Sequence, residues 1–197
     1  MTETFFDLVK RSRSVRRYKE NERIPKSILR DLVDSARLTP SAGNRQPTRF
    51  IICDKKEINN EIFKTLGWLG YLAEDLGPSE GERPSAYIIL LYDNRIRNAS
   101  FQYDAGIVSQ TVVLGANSYD LGCCIIGSIN HDKLRGLLNI PPEYVVISVI
   151  AIGYPVEEVH IEECKDETDV KYWRDENRVH HVPKLPLHKV LIGEFYD

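Results

Sequence analysis

The chain has 197 residues, 42% of them hydrophobic and 28% charged, with 26 Lys and Arg against 29 Asp and Glu for a net charge of −3. That balance fits one globular domain with a real core, and it argues against a disordered chain and against a dedicated nucleic-acid binder, whose domain is usually basic. No apolar run approaches the roughly 18–20 residues of a membrane span, the amino end lacks a signal-peptide core, and Cys53, Cys123, Cys124 and Cys164 are too few for a disulfide scaffold, so a reduced, cytoplasmic protein is expected.

Residues 4–12 predict a short amphipathic helix, with Phe5, Leu8 and Val9 on one side behind a capping box that runs from Thr4 to Asp7. Six cations follow within residues 10–19. A second helix should open near Pro25, a residue suited to the first helical position. Its apolar face is Ile28, Leu29, Leu32, Val33 and Ala36, and it should end before Pro40. Residues 40–47, Pro-Ser-Ala-Gly-Asn-Arg-Gln-Pro, read as a stiff loop of small and amide-bearing residues. Residues 50–53 suggest a strand, residues 57–69 a helix carrying Ile58, Ile62, Phe63 and Leu66, and residues 77–84 a polar loop.

Residues 86–92 are apolar on both parities, which predicts a strand buried on both faces. Residues 101–119 give the strongest helix signal: Ala105, Val108, Val112 and Ala116 form one stripe, widened by Ile107 and Leu114. Such a helix belongs in a core or at a large subunit interface, and Gly122 is placed to stop it. Residues 123–126 read as a strand or extended turn, Asn130 as the cap of a helix carrying Leu134, Leu137 and Leu138, and residues 144–152 as a second buried strand. Composition then changes. Residues 156–169 hold seven acids and one lysine, and the tail from residue 171 carries Pro183, Pro186, the pair His180 and His181, and the apolar Val190, Leu191 and Ile192. A long tail with few helix signals is expected to wrap its domain or to reach a partner subunit, and residues 190–192 would suit strand addition to another chain. The overall pattern predicts an α+β fold or a three-layer arrangement around a central sheet.

The common signatures of nucleotide-binding folds, phosphate loops, zinc proteases, serine hydrolases and dithiol redox sites are absent. The adjacent Cys123 and Cys124 read as two small apolar residues on opposite faces of a strand. His180 and His181 have no acid or cysteine at a ligand spacing, so no metal is expected. The basic cluster admits three readings: a solvated helix end, a nucleic-acid patch, or a site where arginine forks grip an anionic ligand. Residues 40–47 add weight to the last, because a stiff loop rich in donors and acceptors suits the amide-like edge of a heterocycle.

Three segments, in order, resemble the FMN-dependent nitroreductase family. Ser12-Arg13-Ser14-Val15-Arg16-Arg17-Tyr18 resembles its first flavin motif, and Thr39 followed by residues 40–47 resembles its second. Residues 104–119, running into Leu121-Gly122-Cys123-Cys124-Ile125-Ile126-Gly127, resemble its central helix and the strand beneath the flavin ring. The likeness spans about residues 5–192 and extends to the tail of compact bacterial members in Tyr172-Trp173-Arg174-Asp175-Glu176-Asn177 and His180-His181-Val182-Pro183-Lys184.

The resemblance implies a three-layer α/β/α fold with a mostly antiparallel sheet. It implies one domain over residues 1–197, with a tail from about residue 156 crossing to the other subunit of an intertwined homodimer. Two FMN sites would lie at the interface. Arg13 and Ser14 would hold the phosphate or ribityl chain, and Arg16 would sit near the pyrimidine edge. Pro40, Ser41 and Asn44, with Gln46 nearby, would come from the other subunit. Ile126 and Gly127 would lie against the ring's N5 side, and Lys184 with His181 would complete the phosphate site. Two departures stand out: Ser12 where many relatives carry arginine, and Leu185 where many carry a second cation. The role of Arg11 is left open.

Flavin chemistry needs no protein nucleophile, which suits a sequence without one. The resemblance therefore implies reduction of nitroaromatics, quinones or similar small acceptors by NAD(P)H in a ping-pong reaction, with Trp68 and Tyr71 lining the substrate side or packed in the core. Other branches of the same fold, a reductive dehalogenase or a flavin-consuming enzyme, would use the same motifs. A flavin carrier without turnover and a basic interaction module without cofactor complete the alternatives.

Overall fold

The computed structural model describes residues 4–68 and 77–197. The elements within residues 4–156 are helix α1 (Phe5–Arg11), helix α2 (Lys26–Arg37), strand β1 (Thr48–Cys53), helix α3 (Lys56–Phe63), strand β2 (Ala86–Asp93), helix α4 (Phe101–Ser118), strand β3 (Gly122–Ile126), helix α5 (His131–Leu138) and strand β4 (Tyr144–Gly153). They form one compact unit; residues 157–197 belong to a second.

The first unit is built on a four-stranded sheet of order β1-β2-β4-β3, antiparallel throughout. Because side chains alternate along a strand, Ala86, Ile88 and Leu90 of β2 share one face with Ile150 and Ile152 of β4 and Cys123 of β3. That face packs on α2 and α4 through Leu29, Leu32, Val108, Val112 and Ala116. Tyr87 and Ile89 with Val149 and Ala151 occupy the other face and are equally buried. Helices α3 and α5 touch each other and bury Ile62 and Leu134 completely, giving the third layer. Each such Ile or Leu contributes about 1.5–3 kcal/mol through burial. At the end of β2, Asp93 lies between Arg95 (2.8 Å) and Arg49 (3.3 Å). The hydrogen bond from Arg95 holds its carboxyl down to about 2.

The local signals explain the element ends. Thr4 and Asp7 form the reciprocal capping box of α1. Pro25 caps α2 from an extended conformation instead of opening it. Helix α3 stops at Phe63, short of residue 69, because the chain turns there. Leu66 bridges Ile129, and the N–H of Gly67 donates to the Ser128 carbonyl at 2.8 Å. Gly122 does not stop α4. That helix ends at Ser118, Asp120 takes the left-handed turn (φ 57°), and Gly122 opens β3. Asn130 caps α5 as its position predicts, accepting from the N–H of Lys133.

The second unit holds a three-stranded sheet of order β5-β7-β6, made of β5 (Val159–Glu163), β6 (Trp173–Arg174) and β7 (His180–Lys184), followed by the short helix α6 (Leu187–Val190). Strands β5 and β7 run parallel, while β6 is antiparallel to β7. This sheet was not apparent in the tail sequence. Residues 190–192 are not in a strand here: Val190 closes α6, and Leu191 and Ile192 are exposed. No helix among the described residues is long and apolar enough to cross a membrane.

Candidate functional site

The amino-terminal motif forms a ledge along the outer edge of β3. Ser14 bridges Cys123 in parallel, the N–H of Val15 donates to the Cys123 carbonyl at 2.8 Å, and Tyr18 bridges Pro155 beyond β4. Val15 and Tyr18 are buried, whereas Ser14 is exposed and Arg16 half-buried. The chain reaches this close because Gly122 and Gly153, paired across β3 and β4, have no side chains. A Cβ on Gly122 would stand 2.8 Å from the Val15 side chain, and one on Gly153 would stand 2.8 Å from Tyr18 Cβ. The Tyr18 hydroxyl donates to the Val15 carbonyl and ties the ledge to itself.

The geometry sorts the four arginines of the cluster. Arg11 donates to the Asn117 carbonyl at 2.5 Å and lies 3.6 Å from Asp120, so it caps the carboxyl end of α4, where a cation is favoured. Arg17 pairs with Glu82. Arg13 donates through Nη2 to the Val9 carbonyl at 2.9 Å, its shielded Nε has no partner among the described residues, and burial lowers its pKa. Ser12 is buried, and its hydroxyl likewise has no partner among the described residues. Arg16 lies 3.5 Å from the Ser14 carbonyl through Nη1, at the surface.

Residues 40–47 form the stiff loop their composition predicts. Gly43, Asn44 and Gln46 all take positive φ (60°, 52° and 48°), a region that favours glycine and tolerates asparagine. The loop holds this shape through Ser41, whose carbonyl accepts from the Asn44 N–H at 2.8 Å and whose Oγ accepts from the Gln46 N–H at 2.9 Å. Asp104, in the first turn of α4, accepts the Ala42 N–H at 3.0 Å. Arg45 donates to the Arg97 carbonyl. Pro40, Asn44 and Gln46 remain exposed.

At the far end of β3 the Ile126 side chain is buried and Gly127 is exposed. A Cβ on Gly127 would meet nothing within 4 Å, so the space beside this backbone is open and the chain's own packing does not require glycine there. Cys123 faces the helical core and burial pushes its thiol far up, while Cys124 is buried at the alternate position. Trp68 is buried and stacks on Phe63 with ring centres 5.4 Å apart; Tyr71 lies outside the described residues.

The fold brings residues 13–16 beside β3 at Cys123, the strand whose far end is Ile126 and is followed by Gly127. It does not bring them beside residues 40–47, which lead into β1 at the opposite edge of the sheet. Three strand spacings separate those edges, roughly 14 Å.

In the second unit, His181 stacks on Trp173 (centroids 4.9 Å apart, planes at 6°). Its Nδ1 is 2.8 Å from Glu162 and its Nε2 is 3.5 Å from Asp175. Lys184 is exposed at the end of β7. The hydrogen bond to Glu162 raises the His181 pKa, and Asp175 adds to it. The unfolded ring titrates near about 6.5, so the stabilisation is complete below that pH and is lost as pH rises through the higher folded value. An NMR titration of the ring Cε1 proton will therefore give a midpoint above the unfolded one. His181→Gln will flatten the pH dependence of stability between the two values; a wild-type midpoint at or below the unfolded one would contradict this. Among the described residues, no group of three or more His, Cys, Asp or Glu is placed to hold a metal ion.

A family model described as Nitroreductase family matches residues 9–154. A provisionally named NADH dehydrogenase/NAD(P)H nitroreductase of Methanothermobacter thermautotrophicus is 28% identical over 156 residues, 77% of this chain and 77% of its own. Among solved structures, a nitroreductase family protein of Clostridium difficile matches with a TM-score of 0.69 at 23% identity, over 98% of this chain and 100% of its own. A provisionally named nitroreductase of Desulfovibrio desulfuricans, solved in complex with FMN, matches with a TM-score of 0.68 at 20% identity over the whole of both chains.

Proposed function

The chain belongs to the nitroreductase family, and from that premise we propose that it is a cytoplasmic, homodimeric FMN-dependent oxidoreductase that takes electrons from NAD(P)H and passes them to a nitroaromatic, quinone or similar small acceptor. The observation that carries the reading is the placement of the two motif halves beside opposite edges of one sheet. One ring cannot be gripped by both from a single chain, whereas a two-fold axis brings the ledge of one copy to the loop of another. The exposed apolar side chains of α1 and α4, Phe5, Phe6, Tyr103 and Ile107, support such a pairing.

The residues present suit the cofactor. The shielded Nε of Arg13 awaits an acceptor, open space lies beside Gly127, and the loop of residues 40–47 presents fixed amide groups. FMN, when bound, supplies the electron and hydride transfer at its ring. In this reading Arg13 and Ser14 hold the phosphate or ribityl chain. Arg16 offers positive charge to the pyrimidine edge. The Gly127 N–H, next to Ile126, would be available to the N5 side, and Pro40, Ser41, Asn44 and Gln46 of the second copy would border the ring. Donor and acceptor take turns over one open face.

The purified protein is expected to be yellow and to release FMN on denaturation. It is expected to oxidise NADH or NADPH with a quinone, giving parallel double-reciprocal plots. Arg16→Ala will slow the half-reactions or weaken flavin binding by about tenfold, the scale of a lost charge-assisted contact. A colourless protein that takes up no FMN, or a flavin-loaded one with negligible turnover, rules the proposal out.

A further inference from the structure

Asp104 is 2% exposed, yet it carries a carboxylate in the first turn of α4. An acid that served only the helix dipole would gain as much at the surface, without the cost of leaving water. Both oxygens are instead used away from the helix. Oδ1 accepts the Ala42 N–H at 3.0 Å, and Oδ2 accepts from Asn98 Nδ2 at 2.7 Å. Asn98 is itself fixed, because its Oδ1 accepts the Ser100 N–H at 2.9 Å. The loop that follows Ala42 holds three residues at positive φ, two of them not glycine, and such a conformation persists only where its surroundings over-determine it. Asp104 grips the loop at its start, and Arg45 on the Arg97 carbonyl grips it near its middle.

We propose that Asp104 is a positioning residue for the flavin site: without touching the cofactor, it holds residues 40–47 in the form that reads the ring. This rests on the function proposed above. The buried carboxylate is the anchor, Ala42 is the contact, and Ser41, Asn44 and Gln46 are the groups whose placement depends on it. The sequence gives no direct sign of this, since Asp104 lies 62 positions from Ala42.

The test is titration of the flavin-free protein with FMN, followed by fluorescence quenching and by the shape of the bound visible band. Asp104→Ala is expected to weaken FMN by about tenfold or more, since a charge-assisted hydrogen bond is lost, and to alter the band. Asp104→Asn, which keeps an acceptor for the Ala42 N–H but turns its amide nitrogen onto the donor Nδ2 of Asn98, is expected to fall between Asp104→Ala and the parent. Arg45→Ala, which cuts the other tether, is expected to weaken FMN in the same direction. Leu134→Val, a destabilised control in α5, is expected to keep the parent affinity and band. If Asp104→Ala fails to fold, the Asp104→Asn and Arg45→Ala arms decide: parent-like affinity and band in both overturns the inference. Parent-like affinity and band in Asp104→Ala, or a loss in Leu134→Val equal to that in Asp104→Ala, overturns the inference. Failure of the parent itself to bind FMN overturns the proposed function instead.

Discussion

A Tyr18→Ala protein will unfold with about 3–5 kcal/mol less resistance than the parent, the range for truncating a large, fully buried aromatic. Tyr18 has no exposed surface, and its hydroxyl serves the Val15 carbonyl, so both the packing and the internal tie of the ledge go together. Ser14 and Arg16 ride on that ledge, so on the function proposed above flavin retention is expected to fall along with stability. Tyr18→Phe separates the two effects: it keeps the ring and removes the hydroxyl with its hydrogen bond to the Val15 carbonyl, for about 1 kcal/mol. Urea unfolding of the three proteins checks this. A loss below about 1.5 kcal/mol for Tyr18→Ala, under half the expected range, would mean the ledge is not anchored there.

The opposite operation, adding a methyl where the ledge crosses the sheet, carries the second large effect. Gly153→Ala will cost about 1–3 kcal/mol, the usual penalty of overpacking. The new Cβ falls 2.8 Å from Tyr18 Cβ, at the root of that side chain, where rotation gives no relief. Gly122→Ala meets the Cβ of Val15 in the same way. Neighbouring substitutions that share one cause are not additive. The penalty of Gly153→Ala will therefore shrink when Tyr18 is already alanine, and full additivity in a denaturation cycle would show that the two residues do not compete for space.

Several parts of the fold were legible because their causes are local. Residues 86–92 and 148–152 read as buried strand because both faces of β2 and of that part of β4 are covered. The loop of residues 40–47 was legible because glycine, asparagine and proline state their dihedral preferences directly. Where the cause is distant, the sequence is silent. Gly122 reads as a helix stop until Val15, which needs the space, is placed over it. The β5-β7-β6 sheet has no clean apolar alternation, because its strands are short and half-exposed, and β5 pairs with β7 across the intervening chain.

The same holds for the site. The basic cluster was visible as a group, but what each cation does depends on partners far along the chain: Arg11 meets Asn117, 106 positions away, and Arg17 meets Glu82, 65 positions away. Arg13, Ser14 and Arg16 lie on the ledge itself, between those two. Asp104 carried no functional signal of its own in the sequence.

The separation of the two motif halves to opposite sheet edges has a genetic meaning. In a dimer of the kind proposed, a lesion in the ledge and a lesion in the loop damage different contributions to each pocket. Two defective alleles, one of each sort, would pair at random, and every mixed pair would hold one pocket assembled from sound parts only. About a quarter of all pockets would then be whole, by the combinatorics of a two-fold assembly, so the two alleles would rescue each other in trans while two lesions in the same half would not.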